Sequence, residues 1–128
     1  MRTRFIAAGL FVIAVGFSGC SGNREPTTTI TEKPSATENA VTVELSEMKI
    51  EMPASIPAGP TTFQIRNTGS MEHNFEIEGN GMERELDQNL KAGESGTLQV
   101  DLAPGTYKVY CPVGEHAPKG MTMQLTVN

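Results

Sequence analysis

Tryptophan is absent from this chain, and only five Phe and two Tyr stand among its 128 residues. So few rings offer no stacking platform for single-stranded nucleic acid. Cations are short as well: ten Lys and Arg against fifteen Asp and Glu give a formal charge of −5. A nucleic-acid binder needs the opposite balance, because cations must displace counterions from phosphates. No apolar run reaches the ~20 residues of a bilayer span; the N-terminal run, residues 5–17, has 13. Cysteine and histidine are scarce too, at two each. Any site built from them is confined to a handful of positions.

What is present divides the chain into three. Arg2 and Arg4 precede the apolar run, in the manner of a secretory signal peptide. Phe17-Ser18-Gly19-Cys20 then resembles the lipobox of bacterial lipoprotein precursors, with Phe17 where Leu, Val or Ile is more usual. That resemblance implies removal of residues 1–19, acylation of Cys20, and an exported, membrane-anchored protein facing the periplasm or the extracellular side. Two or more acyl chains make such an anchor stable. Without residues 1–19, eight cations face fifteen acids and the formal charge is −7. Residues 20–40 then comprise the lipidated Cys and a stretch of Thr, Ser, Pro and Glu with almost nothing to bury. Such a segment cannot offset the entropy of ordering and reads as a flexible tether, with an r.m.s. reach of about 25 Å.

Residues 41–128 read as one all-β domain. Val41, Val43 and Leu45 alternate with polar residues, as do Phe63 with Ile65, Phe75 with Ile77, Leu98 with Val100 and Leu102, Tyr107 with Val109, and Met123 with Leu125 and Val127. Period-two alternation marks strands with one buried face. Turn residues separate them, among them Asn67-Thr68-Gly69-Ser70, Gly79-Asn80-Gly81 and Pro104-Gly105. The spacing predicts a Greek-key β-sandwich of about seven to eight strands. Residues 82–89 read as a short irregular piece. The acids Glu72, Glu76, Glu78, Glu83, Glu85 and Asp87 read as a solvated face, since Glu76 and Glu78 fall on the outward parity; the sharper alternative is a docking patch for a basic partner.

The chemistry gathers near the C-terminus. Cys111, His116 and Met121 are spaced five residues apart in one loop between two strands. His73 lies at the start of the Phe75/Ile77 strand and shares its parity, while Cys111 shares parity with Tyr107 and Val109. If those strands run side by side, His73 meets the 111–121 loop at one pole. Two imidazoles, a thiolate and a thioether are what a blue copper site requires: a trigonal plane with a weak, long axial contact. Taken singly, a buried Cys, a His or a Met is more often structural. Together, both His and the one Cys outside the lipobox fall in one constellation. A solitary thiol is also a liability in an exported protein, and metal binding accounts for it.

The sequence resembles the plastocyanin/azurin-like cupredoxins in Glu72-His73-Asn74-Phe75, in Leu102-Ala103-Pro104-Gly105-Thr106-Tyr107 leading into Tyr110-Cys111-Pro112, and in His116 with Gly120-Met121. The resemblance implies one type 1 copper ion ligated by His73, Cys111, His116 and Met121, with Asn74 tying the ligand loops together beside the sulfur. It implies an electron carrier working between redox protein partners, expected to be a monomer. Four protein ligands leave no position for substrate and argue against an enzyme. The lipobox would hold it to the membrane through Cys20, and the charge balance argues against nucleic acid. A copper storage or delivery lipoprotein is the alternative. Met123 is expected in the core; Met71 and Met82 read either as a hydrophobic rim near the ligand pole or as ordinary loop methionines.

Overall fold

In the computed structural model, residues 38–128 are described; the expected signal peptide, Cys20 and the tether up to residue 37 lie outside them. The described residues form nine strands and no helix. They are β1 (Asn39–Ser46), β2 (Lys49–Glu51), β3 (Ser55–Ile56), β4 (Gly59–Asn67), β5 (Glu76–Gly79), β6 (Met82–Glu85), β7 (Ser95–Leu102), β8 (Gly105–Tyr110) and β9 (Thr122–Val127). Two mixed sheets result, one in the order β2-β1-β4-β7 and the other β3-β9-β8-β5-β6. The first strand begins at Asn39, running parallel to β4 with Asn39 opposite Thr61.

The alternation expected from the sequence builds the core. β1 contributes Val41, Val43 and Leu45, and β4 contributes Phe63 and Ile65, all buried. Facing them from the second sheet are Ile77, Tyr107, Val109, Leu125 and Val127. Phe63 and Phe75 join the layers with ring centroids 5.1 Å apart at a tilt of 44°. Each buried side chain of this size contributes roughly 1.5–3 kcal/mol of transfer free energy. Met123 is partly buried and packs against this core, as its parity requires.

Two expectations change. Residues 82–89 are not one irregular piece: Met82–Glu85 pairs antiparallel with β5, Gly79 opposite Met82. The cause is the turn Asn80-Gly81, whose φ values of 49° and 76° give the double left-handed backbone favoured by two-residue hairpins. Nor is the face carrying Glu76 simply solvated. Every residue from 73 to 77 is buried, Glu76 included, because the chain there is covered on both sides. The Glu76 carboxylate accepts the Tyr110 hydroxyl at 2.5 Å. Burial, and then that carboxylate, push the Tyr110 phenol upward. A hydrogen bond to Glu76 raises the Glu83 carboxyl in turn.

Candidate metal centre

β5 and β8 run side by side and antiparallel, with Glu76 opposite Tyr110. Each ligand candidate sits just beyond the same end of this pair. Cys111 follows β8 directly. His73 precedes β5 and is fixed by a bridge to Leu90, donating its amide to the Leu90 carbonyl at 3.0 Å and accepting the Leu90 amide at 2.7 Å. Asn67 braces this crossing from below. Its buried amide donates to the carbonyls of Met71 (2.7 Å) and Leu90 (2.8 Å), and its oxygen accepts the Gly69 amide at 2.9 Å.

The 111–121 loop closes on itself. His116 donates its amide to Val113 O at 3.1 Å, and Met121 donates to His116 O at 3.0 Å. The Cys111 amide returns to Met121 O at 3.1 Å. These bonds put a thiol, an imidazole and a thioether on adjacent backbone. Ligand-capable atoms of His73, Cys111 and His116 lie within 4.8 Å of one another. From Cys111 Sγ the distances are 3.6 Å to His116 Nδ1 and 4.0 Å to His73 Nδ1. The rings themselves stand 5.0 Å apart, tilted by 58°.

These spacings fit a shared ion. Metal bonds of about 2.3 Å to sulfur and about 2.0 Å to nitrogen, at a trigonal angle, separate the two ligand atoms by about 3.7 Å. The observed pair of distances brackets that value. His73 Nε2 is buried without a hydrogen-bond partner among the described residues, so the ring is oriented by what Nδ1 faces. Burial lowers the His73 pKa, with a smaller contribution from His116, against the opposing charge of Glu47. The neutral, ligating form is thereby favoured.

His73, Cys111 and His116 come together; Met121 is fully buried, and its backbone is bonded to both Cys111 and His116. Asn74 links the His73 segment to Cys111 through its backbone and not its side chain. Its backbone N–H donates to Cys111 Sγ at 3.3 Å. Its side chain points elsewhere, donating to Leu86 O (3.2 Å) and Asn89 Oδ1 (3.1 Å) and accepting the Phe75 amide at 2.6 Å. The two methionines part company: Met71 lies two residues from His73 and is 45% exposed, whereas Met82 sits at the far end of the β5–β6 hairpin. Asn67 and Asn89 were not singled out from the sequence. A turn motif announces Asn67, but nothing in its spacing says that the side chain is inside.

A two-sheet β-sandwich with a buried His2Cys cluster at one pole, and a buried Met closing the same loop, defines the class of β-sandwiches able to hold a metal ion. Residues 10–127 match the family model of the cupredoxin-like domain, and the chain belongs to that family. The family implies one type 1 copper ion, and the donor set present is of the kind that holds it. No curated protein matches the chain by sequence. Among solved structures, auracyanin from the photosynthetic bacterium Roseiflexus castenholzii, reduced with dithionite, is 18% identical with a TM-score of 0.58, covering 70% of this chain and 97% of that one. Auracyanin B is 21% identical at a TM-score of 0.61, covering 72% and 89%. Auracyanin A, a "blue" copper protein from the green thermophilic photosynthetic bacterium Chloroflexus aurantiacus, is 19% identical at 0.55, covering 70% and 100%. At these identities the likeness establishes the fold.

Proposed function

We propose that this protein is a single-electron carrier, holding one type 1 copper ion through His73 Nδ1, Cys111 Sγ and His116 Nδ1 with Met121 as the axial contact. The observation that carries the reading is the approach of the three ligand atoms to within 4.8 Å in a buried pocket. Bound there, copper supplies a one-electron couple. The chain supplies rigidity: the His73 bridge and the closed 111–121 loop hold the ligands in one arrangement for both oxidation states. Four protein ligands leave no open position for substrate, which argues for a carrier and against an enzyme. Copper is preferred over zinc by the usual order of affinities. His116 is the exit for the electron, because the residue is 6% exposed while His73 and Cys111 are fully covered.

The sequence features outside residues 38–128 support an exported lipoprotein, tethered through Cys20 and acting as a monomer between a donor and an acceptor protein near a membrane surface. Among the described residues no helix is long and apolar enough to cross a membrane. A copper store or courier would offer exposed, exchangeable ligands, and burial of all four side chains weighs against it. The test is to add Cu(II) to the purified protein and record its visible spectrum and voltammogram. An intense thiolate-to-copper band, reversible one-electron cycling, and loss of the band in Cys111→Ala are expected. Colourless copper that a mild chelator strips away would overturn the carrier in favour of the courier.

A further inference from the structure

β1 presents Val41, Val43 and Leu45 to the core, and the next residue of that parity is an acid, Glu47. It occupies the two-residue turn into β2 beside Met48, whose φ of 56° is uncommon for a residue with a side chain. From this turn the carboxylate reaches across to the loop that delivers His73. One oxygen, Oε1, accepts the Ser70 amide at 2.5 Å, the Ser70 hydroxyl at 3.0 Å and the Met71 amide at 3.0 Å. Gly69 completes the arrangement. A Cβ at that position would lie 2.6 Å from Oε1 and 2.9 Å from Oε2 of Glu47. Gly69 is not among the residues of positive φ, so the glycine answers to space and not to backbone freedom.

We propose that Glu47 is a positioning residue for His73: its carboxylate clamps the 68–72 loop and holds a fixed negative charge at the metal pole, favouring the oxidised ion. The inference rests on the copper reading above. A neutral acceptor would suffice to tie a loop, and a carboxylate does more. Hydrogen bonds from the Ser70 amide, then the Met71 amide, hold its pKa down to about 2, so it stays ionised wherever the protein is folded and at work. The carboxylate is bonded to the amides of Ser70 and Met71, three and two residues before His73, which places its charge on the loop that delivers that ligand. A negative charge beside a metal stabilises the state with the larger positive charge.

Two substitutions in the full chain separate clamp from charge. In Glu47→Gln the side-chain carbonyl can replace Oε1, so the loop stays tied and only the charge is lost. In Glu47→Ala both go. Amide exchange of Ser70 and Met71 in the metal-free protein reads the clamp. Protection equal in wild type and Glu47→Gln, with exchange about tenfold or more faster in Glu47→Ala, is expected; equal exchange in all three overturns it. Gly69→Ala should reproduce the Glu47→Ala exchange with Glu47 still present, and the double variant should be no worse than either. Fully additive losses overturn the clamp.

The reduction potential of the copper-loaded protein reads the charge. Glu47→Gln should raise it, with Cu(II) affinity falling several-fold and Cu(I) affinity unchanged; a potential equal to that of wild type overturns the charge. A wild-type chain lacking the thiolate-to-copper band would overturn the proposed function and the charge together. Unchanged exchange in the metal-free variants would overturn the clamp alone.

Discussion

At the end of the sandwich away from the ligands, Tyr107 is buried and fully partnered. Its hydroxyl donates to Ala103 O at 2.9 Å and accepts from Asn80 Nδ2 at 3.0 Å. Asn80 Nδ2 also reaches Pro104 O at 3.3 Å. At the other end, some four residues further along the same chain, Cys111 Sγ stands 3.6 and 4.0 Å from two ring nitrogens, and His73 Nε2 has no hydrogen-bond partner among the described residues. One polar cluster satisfies itself and fastens the turns at its end. The other is assembled by its surroundings, by Asn67, Asn74 and the Leu90 bridge, into a shape its own contacts do not stabilise. Preorganisation of that kind is a cost to the fold, which a bound ion offsets by binding the native state alone.

If that contrast is right, damage at the two ends should have different signatures. The largest effect is expected from Phe75→Ala. Phe75 is buried between His73 and β5 and packs on Phe63, so the cavity should cost about 3–5 kcal/mol of unfolding free energy in the metal-free protein. Copper should recover part of the loss in a denaturant titration. No recovery would mean that the ligand end is not the part loosened.

Tyr107→Phe should be milder, about 1–2 kcal/mol, since it removes one hydroxyl and leaves Ala103 O short of a partner. Its reduction potential should match that of the wild type. A potential that moves as much as the stability does would break the separation of the two ends.

A related division decides what can be read from the sequence. Local pattern is legible: alternation at Val41–Val43–Leu45 and Tyr107–Val109 locates core strands, and Cys111, His116 and Met121 announce their loop by spacing. Positions whose role is to support a distant residue are not. Glu76 falls on the outward parity and is buried, because the chain from 73 to 77 is covered on both faces. Asn80-Gly81 carries the hairpin signal that makes β6 a strand, yet the acids that follow it hide the pattern. Asn67 and Glu47 act across 23 to 24 residues of chain, a separation that no local period encodes. The nearest signal was an acid on the core parity of β1.

The smallest disturbance of the fold, and the sharpest probe of the ligand end, is Met121→Gln. Both backbone groups of Met121 are engaged, the amide with His116 O at 3.0 Å and the carbonyl with the Cys111 amide at 3.1 Å. The loop is therefore held whatever the side chain, and the substitution changes only the atom presented to the ion. An amide oxygen is a harder ligand than a thioether and favours Cu(II), so the potential should fall while the blue band persists. The direction is opposite to that expected for Glu47→Gln, which removes a charge that favours the same state. The two residues lie on different loops, so their shifts in the double variant should add and partly cancel. An unchanged potential in Met121→Gln would remove the thioether from the axial position. A double variant matching only one of its parents would show that the two positions act through one displacement of the site.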